Sequence, residues 1–217
     1  MTSSTAPSLQ SDPPHILNRR DLFFASINGI FIGIFAPFVL NNLSQTLPVS
    51  RIIFTLGIAI LCIIGISVGY FLTKISTHRG FFQLAKFGLI GTTNFIIDAG
   101  ILSFLVWETG ITKGIPFVLF NIISVAIAII NSYIWNKFWS FEEKSLDEER
   151  LRKQFFQFVT VSIVGLIMNT TITSILNAMG SLTAIDATKW TVIAKAIAAI
   201  VVLVWNFVGY KFFVFKR

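Results

Sequence analysis

The stretch IIFTLGIAILCIIGISVGYFL, residues 52–72, is predominantly apolar and carries no charged side chain. A helix needs roughly 20 such residues to cross a hydrocarbon core of about 30 Å, so this stretch predicts a transmembrane helix. On either side of it, the same criterion predicts further spans at 23–43, 84–106, 116–135, 158–178 and 190–210. The stretch 23–43 is interrupted by Asn28 and Pro37 and is compatible with a re-entrant or tilted segment as well as with a span.

The composition of the whole chain agrees with a membrane protein. Hydrophobic residues make up 54% and charged residues 12%, and the mean hydropathy is +0.78, outside the range typical of soluble domains. The sequence contains no phosphate loop, nucleophile elbow or zinc-ligand spacing. We therefore predict an all-α polytopic bundle of about six transmembrane helices that is not an enzyme and has no cofactor, catalytic residue or metal site.

The basic residues predict the orientation of this bundle. The net charge is +7, but Lys and Arg lie between apolar runs rather than along one helix face, which argues against a nucleic-acid partner. One set of loops holds only Arg51, Lys113 and Lys189, whereas the other set holds nearly all the remaining basic residues. Loops rich in Lys and Arg stay in the cytoplasm, so we predict a multi-pass protein of the cell membrane with both termini cytoplasmic.

A weak internal repeat links the last four spans. Phe87 precedes Asp98 by the same interval as Phe158 precedes Asn169, and the following helices close with similar aromatic and basic residues. The pattern predicts two tandem two-helix repeats. An aromatic and basic belt at every cytoplasmic helix end is the alternative interpretation.

Three motifs carry a family resemblance. FGLIGTTNFIID (87–98), NSYIWNKFWSF (131–141) and WNFVGYKFFVF (205–215) together resemble the GtrA-like family, whose related four-helix segments also occur fused to dolichyl-phosphate-mannose-synthase-like enzymes. The resemblance implies a role in cell-surface polysaccharide or lipid-linked sugar metabolism, typically as a translocase of polyprenyl-phosphate monosaccharides.

The resemblance divides the chain into three parts. Residues 81–217 form the GtrA-like four-helix transmembrane domain, and residues 1–20, rich in Ser, Pro and Thr, form a disordered cytoplasmic tail. Residues 21–74 add two transmembrane helices that the family unit lacks. These carry Gly29 with Gly33 and Gly65 with Gly69, a spacing typical of close helix contacts within the chain or with a second subunit.

Two charged residues fall at membrane depth. Asp98 lies in the third span and Lys195 in the sixth, and a charge at the bilayer centre costs roughly 2.5–3.5 kcal/mol on insertion scales. The helical rise places both in the outer half of the membrane. We predict that they form an ion pair, which either holds the bundle together or releases Lys195 to bind passing cargo.

Polar and small residues share one face on each of the last four spans. Asn94 and Asp98 follow Phe87 on the third span, and Ser162, Gly165 and Asn169 repeat this on the fifth. Such faces either pack tightly or line a hydrated path. Asn121, Ala128 and Ser132 share a face of the fourth span, and Lys195, Val202, Asn206 and Gly209 share a face of the sixth.

A second polar group is predicted at the cytoplasmic helix ends. Lys and Asn side chains can bind phosphate oxygens there, although an ordinary interfacial belt explains each residue singly. We also predict a short surface helix at 142–153. The candidate substrate-binding residues are Lys86, Asn94, Asp98, Asn136, Lys137, Asn169, Lys195, Asn206 and Lys211.

The leading hypothesis, which the resemblance implies, is translocation of a polyprenyl-phosphate-linked monosaccharide for polysaccharide or glycoconjugate synthesis. The predicted partners are that sugar lipid, the surrounding membrane lipids, a glycosyltransferase, and a second copy of the chain in a homodimer. A non-transporting anchor that recruits a glycosyltransferase is the alternative. A proton-coupled exporter of small cations is a third interpretation, which Lys195 beside Asp98 argues against.

Overall fold

The computed structural model describes residues 17–42, 49–76, 80–182 and 187–216, so residues 1–16 of the predicted tail lie outside it. Within these ranges the chain forms long helices and no strand. The helices are α1 Arg19–Asn42, α2 Arg51–Ser76, α3 Gly80–Thr109, α4 Gly114–Trp135, α5 Glu148–Ala178 and α6 Ala187–Gly209.

The described helices confirm the predicted membrane bundle. Six helical segments of the described residues are long and apolar enough to cross a membrane, and each overlaps a predicted apolar stretch. The first is continuous through Asn28 and Pro37, and the Nδ2 of Asn28 donates to the Phe24 carbonyl at 2.9 Å. The start of α1, the end of α2, the start of α3, the α4–α5 connection and the end of α6 share one end of the bundle, which we call the basic end.

Glycines bring α1 close to its neighbours. A Cβ added to Gly29 would lie 2.5 Å from the Cα of Ala59, and one added to Gly33 would lie 2.6 Å from the Cα of Thr55, so both glycines meet the backbone of α2. Gly65, in contrast, has no atom of the described residues within 4 Å of such a Cβ. The α1–α2 hairpin therefore packs through the glycine pair of α1, and α1 also packs along α3.

The remaining helices form two pairs, α3 with α4 and α5 with α6. The pairs meet chiefly at the basic end, where the Phe87 ring of α3 contacts the rings of Phe207 and Tyr210. The Tyr133 ring of α4 contacts Phe155 of α5 in the same region. Away from this aromatic cluster, α4 and α5 have few contacts with each other, which leaves space between the pairs.

Both helices that were predicted to close a repeat end in the same local geometry. α4 continues into a π-helical turn at Asn136–Ser140 and α6 into one at Tyr210–Val214. The Phe141 N–H donates to the Asn136 carbonyl and the Phe215 N–H to the Tyr210 carbonyl, both at 2.8 Å. The rings of Phe141 and Phe215 then stack with centroids 5.1 Å apart. The tandem repeat itself stays a prediction.

The predicted surface helix at 142–153 is wrong. Residues 142–147 are irregular, and α5 runs without interruption from Glu148 to Ala178. The Asp147 carboxylate accepts from the Arg150 N–H at 2.9 Å and caps the helix, while Glu148 and Glu149 occupy its first turn. Acidic residues stabilise a helix start, so the charged segment begins the long helix rather than forming a separate one.

Candidate functional site

A cavity of about 230 Å³ lies between α3, α4 and α5, with a mostly apolar lining that carries a few polar groups. Its lining combines a carboxylate, an amide and two hydroxyls with aromatic and aliphatic walls. We call it the membrane cavity. The lining residues are Asn94, Phe95, Asp98, Val125, Ala128, Ile129, Ser132, Phe158 and Ser162.

Asp98 is the acidic group of the membrane cavity. The buried Ser124 hydroxyl donates to its Oδ1 at 2.6 Å and fixes the carboxylate between α3 and α4. Asp98 forms no ion pair with a cation whose side chain the structure describes. The side chain of Lys195, the predicted partner, lies outside the described residues, so the pair remains a prediction.

Asn94 supplies an amide one turn from Asp98. The Asn131 Nδ2 donates to the Asn94 Oδ1 at 2.6 Å, and the Trp135 Nε1 donates to the Asn131 Oδ1 at 3.1 Å. The Asn94 Nδ2 is buried and has no hydrogen-bond partner among the described residues. A buried donor without a partner is costly, so this amide nitrogen is suited to a ligand oxygen or a water in the cavity.

The hydroxyls of the membrane cavity approach from α4 and α5. Ser162 shares a 2.6 Å hydrogen bond with the Tyr210 hydroxyl. The Asn136 Nδ2 donates to the Ser132 carbonyl at 2.9 Å and to the Ser132 hydroxyl at 3.3 Å. The Asn136 Oδ1 is buried and has no hydrogen-bond partner among the described residues. Part of each predicted face therefore lines this space: Asn94 and Asp98 on the third span, Ala128 and Ser132 on the fourth, and Ser162 on the fifth.

Two predicted residues lie elsewhere. Asn206 packs on Gly165, where a Cβ would lie 2.7 Å from the Asn206 Oδ1, and this oxygen has no partner among the described residues. The contact belongs to the α5–α6 interface. Asn169 is half-buried on α5, and neither residue lines the membrane cavity.

At the basic end, Lys86 is engaged within the protein. Its Nζ lies 2.7 Å from the Asp21 Oδ1 and 3.3 Å from the Glu142 Oε1, and the side chain is only 3% exposed. The Trp139 Nε1 donates to the same Asp21 oxygen at 3.0 Å. Asp21 also caps α1, because its Oδ2 accepts from the Asn18 N–H at 3.2 Å and its N–H donates to the Asn18 Oδ1 at 2.9 Å.

Lys137 is also buried, with an exposed fraction of 0%. Its Nζ donates to the Gln154 Oε1 at 2.6 Å. Lys211 is half-buried, with its Nζ 5.5 Å from the Phe207 ring centroid. The predicted basic residues therefore lie at one end, but Lys86 and Lys137 are enclosed by protein rather than presented on an open surface.

The four helices α3–α6 correspond to a known family of membrane domains. The family model of the GtrA/DPMS transmembrane domain matches residues 86–215. The chain belongs to the GtrA/DPMS transmembrane-domain family. Comparison with curated proteins and with solved structures found no match. The predicted family resemblance is thus confirmed, and the match covers α3 from Lys86 through to the π-helical turn after α6.

The α1–α2 hairpin lies outside the GtrA/DPMS match, yet it supplies a partner of the family unit. Asp21 of α1 pairs with Lys86, the first matched residue. Asp21 had no role in the sequence-based predictions. The signal available was the spacing of Asn18 and Asp21 before an apolar run, which is typical of a helix N-terminus but gives no hint of Lys86.

Three other partners were also missed: Ser124, Asn131 and Gln154. Each is a neutral polar residue whose partner lies on another element. Ser124 and Asn131 of α4 bind Asp98 and Asn94 of α3, and Gln154 of α5 binds Lys137 in the turn after α4. In the described part of this GtrA/DPMS chain, no group of three or more His, Cys, Asp or Glu side chains could hold a metal ion.

Proposed function

We propose that this protein moves a polyprenyl-phosphate-linked monosaccharide across the membrane in the course of cell-surface polysaccharide or glycoconjugate synthesis. Membership of the GtrA/DPMS family connects the chain to glycoconjugate synthesis. The observation that carries the finer proposal is the membrane cavity with Asp98, Asn94 and Ser162 on its walls. A sugar needs such groups when it leaves water, because an unpaired hydroxyl in an apolar medium costs several kcal/mol.

The cavity groups match the chemistry of a sugar. The Asp98 carboxylate accepts hydrogen bonds from sugar hydroxyls, and the unpartnered Asn94 Nδ2 donates one to a sugar oxygen. The Phe95 ring, which is 68% exposed, offers an aromatic wall on which an apolar sugar face can lie. The arrangement would shield the sugar at the point where hydration is lost.

The polyprenyl tail stays in the lipid in this proposal. The outer surface of α4 is apolar and exposed along its length, including Ile123, Ile127 and Ile130. A tail that lies against this surface needs no polar partner, while its sugar enters between α4 and α5. We further propose that the basic end faces the cytoplasm, that the protein works as a homodimer and is not an enzyme, and that a glycosyltransferase supplies or consumes the lipid-linked sugar.

Transport in liposomes tests the proposal. The intact protein is expected to make a labelled polyprenyl-phosphate sugar accessible from the opposite leaflet faster than empty liposomes do. Asp98→Asn keeps the size of the side chain but removes its charge, and we expect transport to fall about tenfold or more, since hydrogen bonds to a charged acceptor contribute about 1.5–3 kcal/mol. The readout is the rate at which an external reagent reaches the sugar.

Glu108→Gln is the matched control, because Glu108 is an exposed acid near the opposite end of α3 and does not line the cavity. It should leave the rate unchanged. Equal rates in protein-containing and empty liposomes would contradict translocation and favour a non-transporting anchor. Equal transport rates for the wild type and Asp98→Asn would contradict a role of the membrane cavity in transport.

A further inference from the structure

A second cavity, of about 460 Å³, lies at the basic end between the first turns of α5 and the π-helical turn that follows α6. We call it the terminal cavity. None of its lining residues belongs to the membrane cavity. The lining residues are Asp147, Glu149, Arg150, Lys153, Gln154, Gln157, Phe213, Val214 and Lys216.

Gln154 forms a buried wall of the terminal cavity. The side chain is only 3% exposed, and its Oε1 accepts from the Lys137 Nζ at 2.6 Å. An ammonium group only donates, so the carbonyl oxygen of this amide must face Lys137. The Gln154 Nε2 is then left as a donor on the other side, and it has no hydrogen-bond partner among the described residues.

Lys137 places a positive charge directly behind this amide. It is fully buried, and no carboxylate of the described residues forms an ion pair with it. The nearby Glu143 is already occupied, because its Oε2 accepts from Arg150 at 3.1 Å and its Oε1 from the Ser145 N–H at 2.9 Å. A buried cation with a neutral partner is stabilised when an anion approaches, and the Gln154 amide is polarised towards that anion.

The rim of the terminal cavity carries charges of both signs. Arg150, Lys153 and Lys216 are the bases and Asp147 and Glu149 the acids. Asp147 is used as the cap of α5, and Arg150 is held by Glu143 and by the Lys216 carbonyl at 3.4 Å. Lys153 is exposed and has no such contact within the described chain, so its ammonium is available to a ligand.

The remaining wall suits a lipid. Phe213 is 69% exposed and lies beside the charged rim, at the end of the last apolar segment. A ligand that carries both a phosphate group and a hydrocarbon chain can place the first in the cavity and the second against this ring. An exposed aromatic side chain beside basic residues is typical of the level of lipid headgroups.

We propose that the terminal cavity binds the phosphate group of an anionic lipid. The Gln154 Nε2 donates to a phosphate oxygen, Lys137 stabilises that contact from behind, and Lys153 and Lys216 supply positive charge at the rim. This inference does not depend on translocation, because it concerns a different cavity and a binding equilibrium. The phosphate is either the diester of a bilayer phospholipid or the monoester of a prenyl phosphate, two sources that share this chemistry.

Binding to the purified full-length chain in nonionic detergent tests the proposal. The probes are dioctanoyl phosphatidylglycerol, farnesyl phosphate and inorganic phosphate, with dioctanoyl phosphatidylcholine as the zwitterionic comparison, and calorimetric titration gives the Kd. We expect at least one of the two anionic lipids to bind more tightly than phosphatidylcholine. Whichever of the two binds more tightly identifies the source of the phosphate, and inorganic phosphate shows how much the hydrocarbon chain adds.

Three variants locate the site. Gln154→Glu supplies a carboxylate to Lys137 and removes the donor, so the fold should be retained while Kd rises about tenfold or more. Lys153→Gln should raise Kd about threefold, and Arg152→Gln, which removes a neighbouring exposed charge outside the cavity, should leave it unchanged.

The proposal is overturned if no anionic lipid binds more tightly than phosphatidylcholine. It is also overturned if Gln154→Glu binds as wild type does. Should that variant fail to fold, the comparison of Lys153→Gln with Arg152→Gln decides, and equal Kd values for the two would reject the site. Because the readout is binding, a negative result here is separate from a negative result for transport.

Discussion

Replacing Asp21 with Ala is expected to lower the free energy of unfolding by about 3–5 kcal/mol, because it leaves the buried Lys86 ammonium without its closest anion. The two side chains are 4% and 3% exposed, and their atoms are 2.7 Å apart. The substitution also removes the acceptor for the Trp139 indole and the acceptor for the Asn18 N–H. Denaturation of the purified protein in detergent, followed by tryptophan fluorescence, measures the change.

A pair of variants separates the charge from the other contacts of Asp21. Asp21→Asn keeps an acceptor for Trp139 and a capping side chain, yet should still destabilise the protein because Lys86 loses the closer of its two countercharges and keeps only Glu142. Adding Lys86→Met to Asp21→Asn removes the buried cation that has lost its closer anion. Most of the lost stability should return, since an apolar residue of similar size often replaces a buried ion pair without cost. A double variant less stable than Asp21→Asn would contradict this account of Lys86.

Gly29→Ala is expected to destabilise the α1–α2 hairpin by about 1–3 kcal/mol, the range for overpacking a close-packed interface. The new Cβ would lie 2.5 Å from the Cα and 2.9 Å from the backbone nitrogen of Ala59, and backbone atoms cannot move aside as a flexible side chain can. The two helices must separate. The same denaturation measurement gives the loss.

Gly65→Ala is the matched control for this prediction. Gly65 is also a helical glycine in the hairpin, but no atom of the described residues lies within 4 Å of its added Cβ. Alanine has the higher helix propensity, so this variant should be as stable as the wild type or more stable. Equal destabilisation by the two substitutions would show that the cost comes from the helix backbone and not from the contact with α2.

The membrane spans were predictable because hydropathy and length suffice to recognise them. The helices extend beyond the predicted apolar stretches, as in α3, which runs from Gly80 to Thr109 whereas the apolar stretch covers 84–106. Polar residues at either end continue the backbone hydrogen bonds of a helix after it leaves the hydrocarbon core, and a hydropathy criterion does not register them.

The faces of single helices were also predictable, but not which helices meet. Helical periodicity predicted that Asn94 and Asp98 share one face of α3. The structure shows that Ser132 of α4 and Ser162 of α5 line the same cavity. Periodicity carries no information about neighbours distant in the sequence. The contacts of Lys86 with Asp21 and of Lys137 with Gln154 depend on the packing of separate segments, so the burial of both lysines could not be derived from their position in an interfacial motif.

The ion pair between Asp21 and Lys86 affects how the family unit can be studied alone. A fragment that begins at residue 80 would retain the whole region matched by the family, yet Lys86 would lose Asp21, its closer anion, and keep only Glu142. The face of α3 at Gly100, which packs against Phe35 of α1, would also become exposed. A fragment limited to the family-matched region should therefore be less stable than the intact chain. Purification should start from a chain that keeps the α1–α2 hairpin.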